Sequence, residues 1–178
     1  INMKKTSLSF EFFPPKTEGG IANLRETRQK LAVFKPEFFS VTFGAGGSTR
    51  DRTMDTVFEI QDEGYQAAPH ISCISSSKAE IVELLKAYQE KDIKRLVVLR
   101  GDVPSGEVST GDFKYAVDLV AFIRQETGDW FHIEVAAYPE FHPEARSAAD
   151  DIDNLKRKVD TGADSAITQY FYNVDAYF

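Results

Sequence analysis

The chain has 178 residues, 42% of them hydrophobic and 28% charged, an ordinary globular composition with enough apolar material for one substantial core. A formal net charge of −7 excludes nonspecific binding to nucleic acid or to an anionic membrane, both of which need a basic surface. Every apolar run is too short to span a bilayer, and Cys73 is the only cysteine, so an intrachain disulfide is excluded and a cytoplasmic chain is expected.

In chain order, six β-rich runs alternate with helical patterns. Ser7–Phe13 opens the series, and Ile21, Leu24 and Leu31 mark the first helix. The run 37–43 comes next, followed by Gly44-Ala45-Gly46-Gly47 and a helix marked by Met54, Val57 and Ile60. After the third run, 67–74, Ile81, Leu84, Leu85 and Tyr88 are spaced i, i+3, i+4, i+7, which builds one apolar face. Ser77 and Glu80 before them form the S-x-x-E capping box that satisfies orphan backbone donors at a helix start. The fourth run, Arg95–Leu99, leads to a helix marked by Ala116, Val120 and Ile123. The fifth, 132–138, leads to Ile152, Leu155 and Val159. The sixth is 165–172, after which Asn173 is placed to cap a further helix. Gly64 and Gly162 stand where helices end. With no linker or shift in composition, residues 1–178 read as one domain.

Strict β-α alternation at a period of about thirty residues predicts a parallel sheet, either open and doubly wound or closed into a barrel. An open sheet concentrates its site at one crevice, whereas a barrel gathers polar groups from the C-terminal ends of many strands. Glu11, Thr42, His70, Arg100-Gly101-Asp102, Tyr138 with Glu140 and His142, and Gln169 lie at or just past six successive strand ends. That ring favours a (β/α)8 barrel, here about six β/α units of it. A complete barrel takes about 250 residues, so the natural protein is expected to be longer.

Each member of the ring also has a plainer reading. Glu11 between Phe10 and Phe12 sits in a strand expected to be covered on both faces. Burial would raise its pKa toward general-acid duty. Thr42, His70 and Gln169 taken singly are ordinary strand residues, and Arg100 and Asp102 could pair with each other across Gly101. Gly44–Gly47 has neither dinucleotide nor phosphate-loop spacing. Lys156-Arg157-Lys158 reads by default as a solvated helix face. Three histidines without paired-cysteine or H-E-x-x-H spacing predict no metal site.

Taken in order, seven segments resemble the methylenetetrahydrofolate reductase family along essentially the whole chain. They are Ser9-Phe-Glu-Phe-Phe-Pro-Pro15, Ser40-Val-Thr-Phe-Gly-Ala45, Arg50-Asp-Arg-Thr53, Ala68-Pro-His-Ile-Ser-Cys73, Leu99-Arg-Gly-Asp102, Ala136-Ala-Tyr-Pro-Glu-Phe-His-Pro-Glu-Ala145, and Asn154-Leu-Lys-Arg-Lys-Val-Asp160 running on to Ile167-Thr-Gln-Tyr-Phe171. The resemblance implies a barrel that binds FAD at its C-terminal face and reduces 5,10-methylenetetrahydrofolate with NADH or NADPH. It implies that Glu11 is the general acid protonating N10 and that Asp102 is the carboxylate between flavin and pterin. Thr42 and Gln169, with Asp102, match residues lining the position shared by nicotinamide and folate. Phe43, Ala45, His70, Arg100, Gly101, Asp102, Ala116, Tyr138, His142, Ala145, Asp151, Asn154, Arg157 and Lys158 match FAD contacts. Arg157 and Lys158 are thereby moved from the solvated face to the FAD phosphates. A homo-oligomer is expected of the full-length form, with folate and nicotinamide as its partners and neither nucleic acid nor membrane among them. The alternatives are a flavin-free barrel lyase or isomerase acting on a phosphorylated metabolite, with Glu11 as base, and a non-catalytic binding module.

Overall fold

The computed structural model describes residues 6–43, 47–74, 76–101 and 111–178, with the side chains of 47–49 left aside. Six strands and five α-helices alternate: β1 (Ser9–Phe12), α1 (Glu18–Ala32), β2 (Phe38–Val41), α2 (Gly47–Asp62), β3 (Ala67–Ser72), α3 (Lys78–Glu90), β4 (Arg95–Leu99), α4 (Ala116–Thr127), β5 (His132–Ala137), α5 (Ala148–Thr161) and β6 (Ser165–Thr168). All strands are parallel and lie in sequence order, β1-β2-β3-β4-β5-β6. This unbroken order separates a barrel wall from a doubly wound sheet, whose order reverses at a switch point. The architecture is six consecutive strands of a (β/α)8 barrel with the five helices that connect them.

The alternation of side chains along each strand sorts the wall into two faces. Phe12, Phe39, Val41, Ile71, Leu96, Val98, Ile133 and Val135 point outward and merge with Val57, Ile60, Ile81, Leu84, Leu119 and Ile123 of the helices in one large core. The residues between them point inward, where Phe38, Ala68 and Val97 make a second, smaller cluster. The α3 stripe Ile81, Leu84, Leu85 and Tyr88 is wholly buried, as its spacing predicts. Burial of each such side chain contributes roughly 1.5–3 kcal/mol.

An ionic network that sequence reasoning missed lies low on the inner face. Arg95 Nη2 meets Glu37 Oε1 at 2.6 Å, Arg95 Nη1 meets Glu134, and the guanidinium lies 4.5 Å from the centre of the Phe38 ring. Glu37 also accepts from the Ser7 hydroxyl. The signal was present, because Glu134 is a carboxylate in mid-strand, as Glu11 is.

Three expectations are corrected. The strands are shorter than the β-rich runs, and the sixth stops at Thr168. Asn173 caps only a 3-10 turn, Val174–Ala176, by accepting from the Asp175 N–H at 3.1 Å. The stripe on α5 forms a helix, but only Leu155 of it packs against the core; Ile152 is 67% and Val159 50% exposed.

Candidate active site at the C-terminal ends of the strands

The strand ends are stitched to one another by backbone. The Thr42 N–H donates to the Phe12 carbonyl at 2.9 Å, and its own carbonyl accepts from the Thr53 hydroxyl at 2.9 Å, which fixes the exit of β2 against β1 and α2. Phe43 follows, half-buried. At the exit of β4, the Arg100 carbonyl accepts from the Ile74 N–H (3.1 Å), the Ser72 hydroxyl (2.9 Å) and the Cys73 thiol (3.3 Å). Burial pushes the Cys73 thiol up to about 11, so it is an inert core group at neutral pH. Gly101 then turns the chain at φ +80°, and a Cβ there would lie 2.1 Å from Ser72 Oγ.

Glu11 on β1 and His70 on β3 meet across the inner face, with Nε2 of the buried His70 3.2 Å from Glu11 Oε2. The imidazole sits off the axis that a hydrogen bond requires, so Nε2 is within ion-pair range of the carboxylate without an aligned bond. The Glu11 side chain is 51% exposed, although its neighbours in the register, Ser40 and Ala68, are buried. This corrects the expected raised pKa. Contact with His70 holds the Glu11 carboxyl below the usual carboxylate value, and partial burial opposes that without overcoming it.

The remaining cations belong to the rim of β4 and β5. Arg100 Nη2 meets Glu144 Oε2 at 2.8 Å, joining β4 to the β5–α5 loop. In that loop the rings of Tyr138 and His142 meet edge to face at 4.7 Å, the His142 N–H donates to Asp151 Oδ2 at 3.1 Å, and the Ala145 N–H donates to the His142 carbonyl at 2.9 Å. The basic run on α5 divides. Lys156 pairs with Asp160 on the solvent side, and Arg157 donates to Asn154 on an exposed surface. Lys158 turns inward, donating to the Ala136 carbonyl beside a small cavity lined also by Tyr138, Asp151 and Leu155. Burial pulls the Lys158 ammonium below its ordinary pKa, and Asp151 opposes the shift.

Ala116 is the first residue of α4, where Asp118 already accepts from the Tyr115 N–H at 2.9 Å. Gln169 follows β6, and its side-chain oxygen accepts from the Tyr170 N–H at 2.8 Å. Ala45 and Asp102 lie outside the described residues. Among the described residues no group of three or more His, Cys, Asp or Glu side chains is placed to hold a metal ion, and no helix is long and apolar enough to cross a membrane. The result is a carboxylate–imidazole pair on β1 and β3, with a cationic and aromatic rim on β4, β5 and α5. The pair can exchange a proton, and the rim offers cations and aromatic rings.

Over residues 1–178 the chain matches the family described as methylenetetrahydrofolate reductase. The chain belongs to the methylenetetrahydrofolate reductase family. It is 46% identical over 174 residues to 5,10-methylenetetrahydrofolate reductase of Pectobacterium carotovorum, covering 97% of this chain and 57% of that protein. It is 38% identical over 187 residues to methylenetetrahydrofolate reductase (NADH) 1 of Zea mays, covering 97% of this chain and 32% of that one. The chain thus spans little more than half the length of the bacterial relative. Among solved structures it is similar in fold to an uncharacterized protein from Clostridium thermocellum that binds two copies of 5-methyl-5,6,7,8-tetrahydrofolic acid. The TM-score is 0.65 at 18% identity, covering 99% of this chain and 58% of the other.

Proposed function

We propose that this chain carries part of the catalytic barrel of a flavoprotein that reduces 5,10-methylenetetrahydrofolate to 5-methyltetrahydrofolate, with NADH or NADPH as electron donor. Support comes from the family membership, from relatives named for this reaction, and from a similar fold that binds a methylated folate. The observation that carries the reading is Glu11, an acid on the inner face of β1 at the mouth of the barrel, in contact with an imidazole.

The rim residues fit FAD on two observations of this structure. Lys158 is a half-buried ammonium with a carbonyl for its partner, and an adjacent phosphate would offset the desolvation that lowers its pKa. Tyr138, which lines the same cavity as Lys158, meets His142 edge to face at 4.7 Å and offers an aromatic surface to the cofactor. In this reading Arg100, Arg157 and Lys158 meet the phosphates, supplying the local cation that a protein of net charge −7 needs. Phe43, Ala45, His70, Gly101, Ala116, Tyr138, His142, Ala145, Asp151 and Asn154 complete the cofactor surface. Bound FAD would supply the hydride. Thr42 and Gln169 line the position that nicotinamide and folate occupy in turn. Asp102 orients the pterin and sets a negative charge near the flavin ring. Glu11 gives its proton to N10 of the folate, opening the five-membered ring so that the carbon left on N5 can accept hydride. A positioned acid typically contributes 10²–10⁴-fold.

Glu11→Gln tests this directly. Rapid mixing should show folate reduction falling by about two to four orders of magnitude, while NADH still bleaches a visible flavin absorption at the wild-type rate. Equal loss in both half-reactions would make Glu11 a structural or cofactor-binding residue. A colourless protein from flavin-replete cells would remove the flavin.

A further inference from the structure

A general acid must hold a proton when its substrate arrives, and Glu11 by itself is badly suited to do so. A half-exposed carboxyl is ionised near neutrality, and the contact with His70 lowers this one further. The proton therefore needs a second holder. Among the described residues, His70 is the one ionisable side chain within ion-pair range of Glu11. It is 5% exposed, and Nε2, the atom nearest the carboxylate, has no aligned hydrogen-bond partner of its own. A buried polar atom in that condition is costly unless it is used.

We propose that His70 and Glu11 hold one proton between them, and that this shared proton is the one Glu11 delivers to the folate nitrogen. The inference rests on the function proposed above and assigns His70 a positioning role beyond any contact with cofactor. In delivery, the Glu11 O–H bond breaks and the N10–H bond forms. That leaves a Glu11 carboxylate beside a neutral His70 imidazole, and one proton from solvent, reaching the half-exposed carboxylate, refills the pair.

The surroundings leave the two groups to each other. From β2 the inner face presents Phe38 and Ser40, neither of which titrates. On β4, Arg95 is held by Glu37 and Glu134, and Arg100 beyond the strand is held by Glu144. On β5, Glu134 shares the level of His70 through Val97 but is bound to Arg95. The helices pack on the opposite face of the sheet. No other described carboxylate competes with Glu11 for His70. Interacting sites of this kind titrate as a pair and not as two separate groups.

Two measurements on the whole flavin-loaded protein decide the matter. Glutamate carboxyl groups labelled with ¹³C are titrated by NMR in the wild type and in His70→Asn, with the Glu11 signal identified by its loss in Glu11→Gln; His70→Gln serves if the first variant does not fold. Removing His70 should move the Glu11 midpoint upward, since burial then acts alone. An unmoved midpoint overturns the pairing. In parallel, the pH dependence of the folate half-reaction is followed. In the wild type the rate should follow protonation of the pair, whereas in the variant it should follow the single, raised Glu11 midpoint read by NMR, so the two profiles should differ in shape. A variant slowed equally at every pH overturns proton sharing and leaves His70 a structural residue. If the Glu11 midpoint moves but the wild type reduces no folate at any pH, the pairing stands, and the functional reading is overturned together with the delivery step.

Discussion

Gly101 turns the chain out of β4 with φ of +80°, a region that costs a residue with a Cβ roughly 1–2 kcal/mol. The added methyl would also meet Ser72 Oγ at 2.1 Å, and rotating that hydroxyl away breaks its 2.9 Å bond to the Arg100 carbonyl, a loss of about 1 kcal/mol. Gly101→Ala should therefore destabilise the chain by about 2–3 kcal/mol in urea unfolding, and Ser72→Ala should recover part of that loss by removing the clash. A change under about half a kcal/mol would mean that the β4 exit relaxes freely. Sequence reasoning marked Gly101 for its place between two charges but had no means of finding Ser72, which becomes its neighbour only through the β3–β4 register. Lys158 shows the same limit. It was one of three adjacent cations in a run, and only the helical turn separates its half-buried amine from the solvated Lys156. The acid was found for a sound reason and given the wrong environment. A carboxylate between two phenylalanines did mark Glu11, but its protonation follows from His70, 59 positions along the chain, on the next strand but one.

Among the helices, α3 is the one in which every local signal agrees with the tertiary outcome. Ser77 Oγ accepts from the Glu80 N–H at 3.3 Å, and the Glu80 carboxylate returns to the Ser77 N–H at 2.8 Å. Arg50 of α2 then ties the same turn to its neighbour, donating to the Glu80 carbonyl at 2.8 Å. Ser77→Ala should cost about 1 kcal/mol, read as a lowered urea midpoint with an unchanged slope. A neutral result would show that packing of the α3 stripe holds the first turn without its cap. The helices were legible because propensity, capping and periodicity are local. Cross-helix pairing was not. Arg28 of α1 is fully buried and reaches Glu59 and Glu63 of α2 at 2.6 and 2.5 Å, yet in sequence it is an unremarked arginine on the polar side of its helix. On α5 the i, i+3, i+7 spacing of Ile152, Leu155 and Val159 predicts an apolar face correctly, and whether anything covers that face is a property of the whole assembly.

At the scale of the molecule, the barrel wall has two open sides among the described residues. Strands β1 and β6 each pair with one neighbour, so each presents unpaired backbone donors and acceptors along its other edge. Ile167 on β6, Tyr170 and Tyr172 just after it, and Ile152 and Val159 on α5 are all exposed, and in a parallel sheet such residues normally lie beneath a neighbouring unit. The net charge of −7 opposes association over long range but is screened within about 8 Å at physiological salt. Contact between edges and apolar faces acts at shorter distances than that and should prevail. The 178-residue chain studied alone should therefore self-associate in a concentration-dependent way, more strongly as salt is raised. Sedimentation velocity would show this as a rising mean sedimentation coefficient. Replacing Ile152 with Glu and Val159 with Lys should reduce association while leaving the melting temperature within a degree or two, because both side chains are at least half exposed and pack little. Association that persists unchanged in the double variant would move the sticking surface to the strand edges. A monodisperse monomer at all concentrations would show that neither edge nor face attracts a second copy.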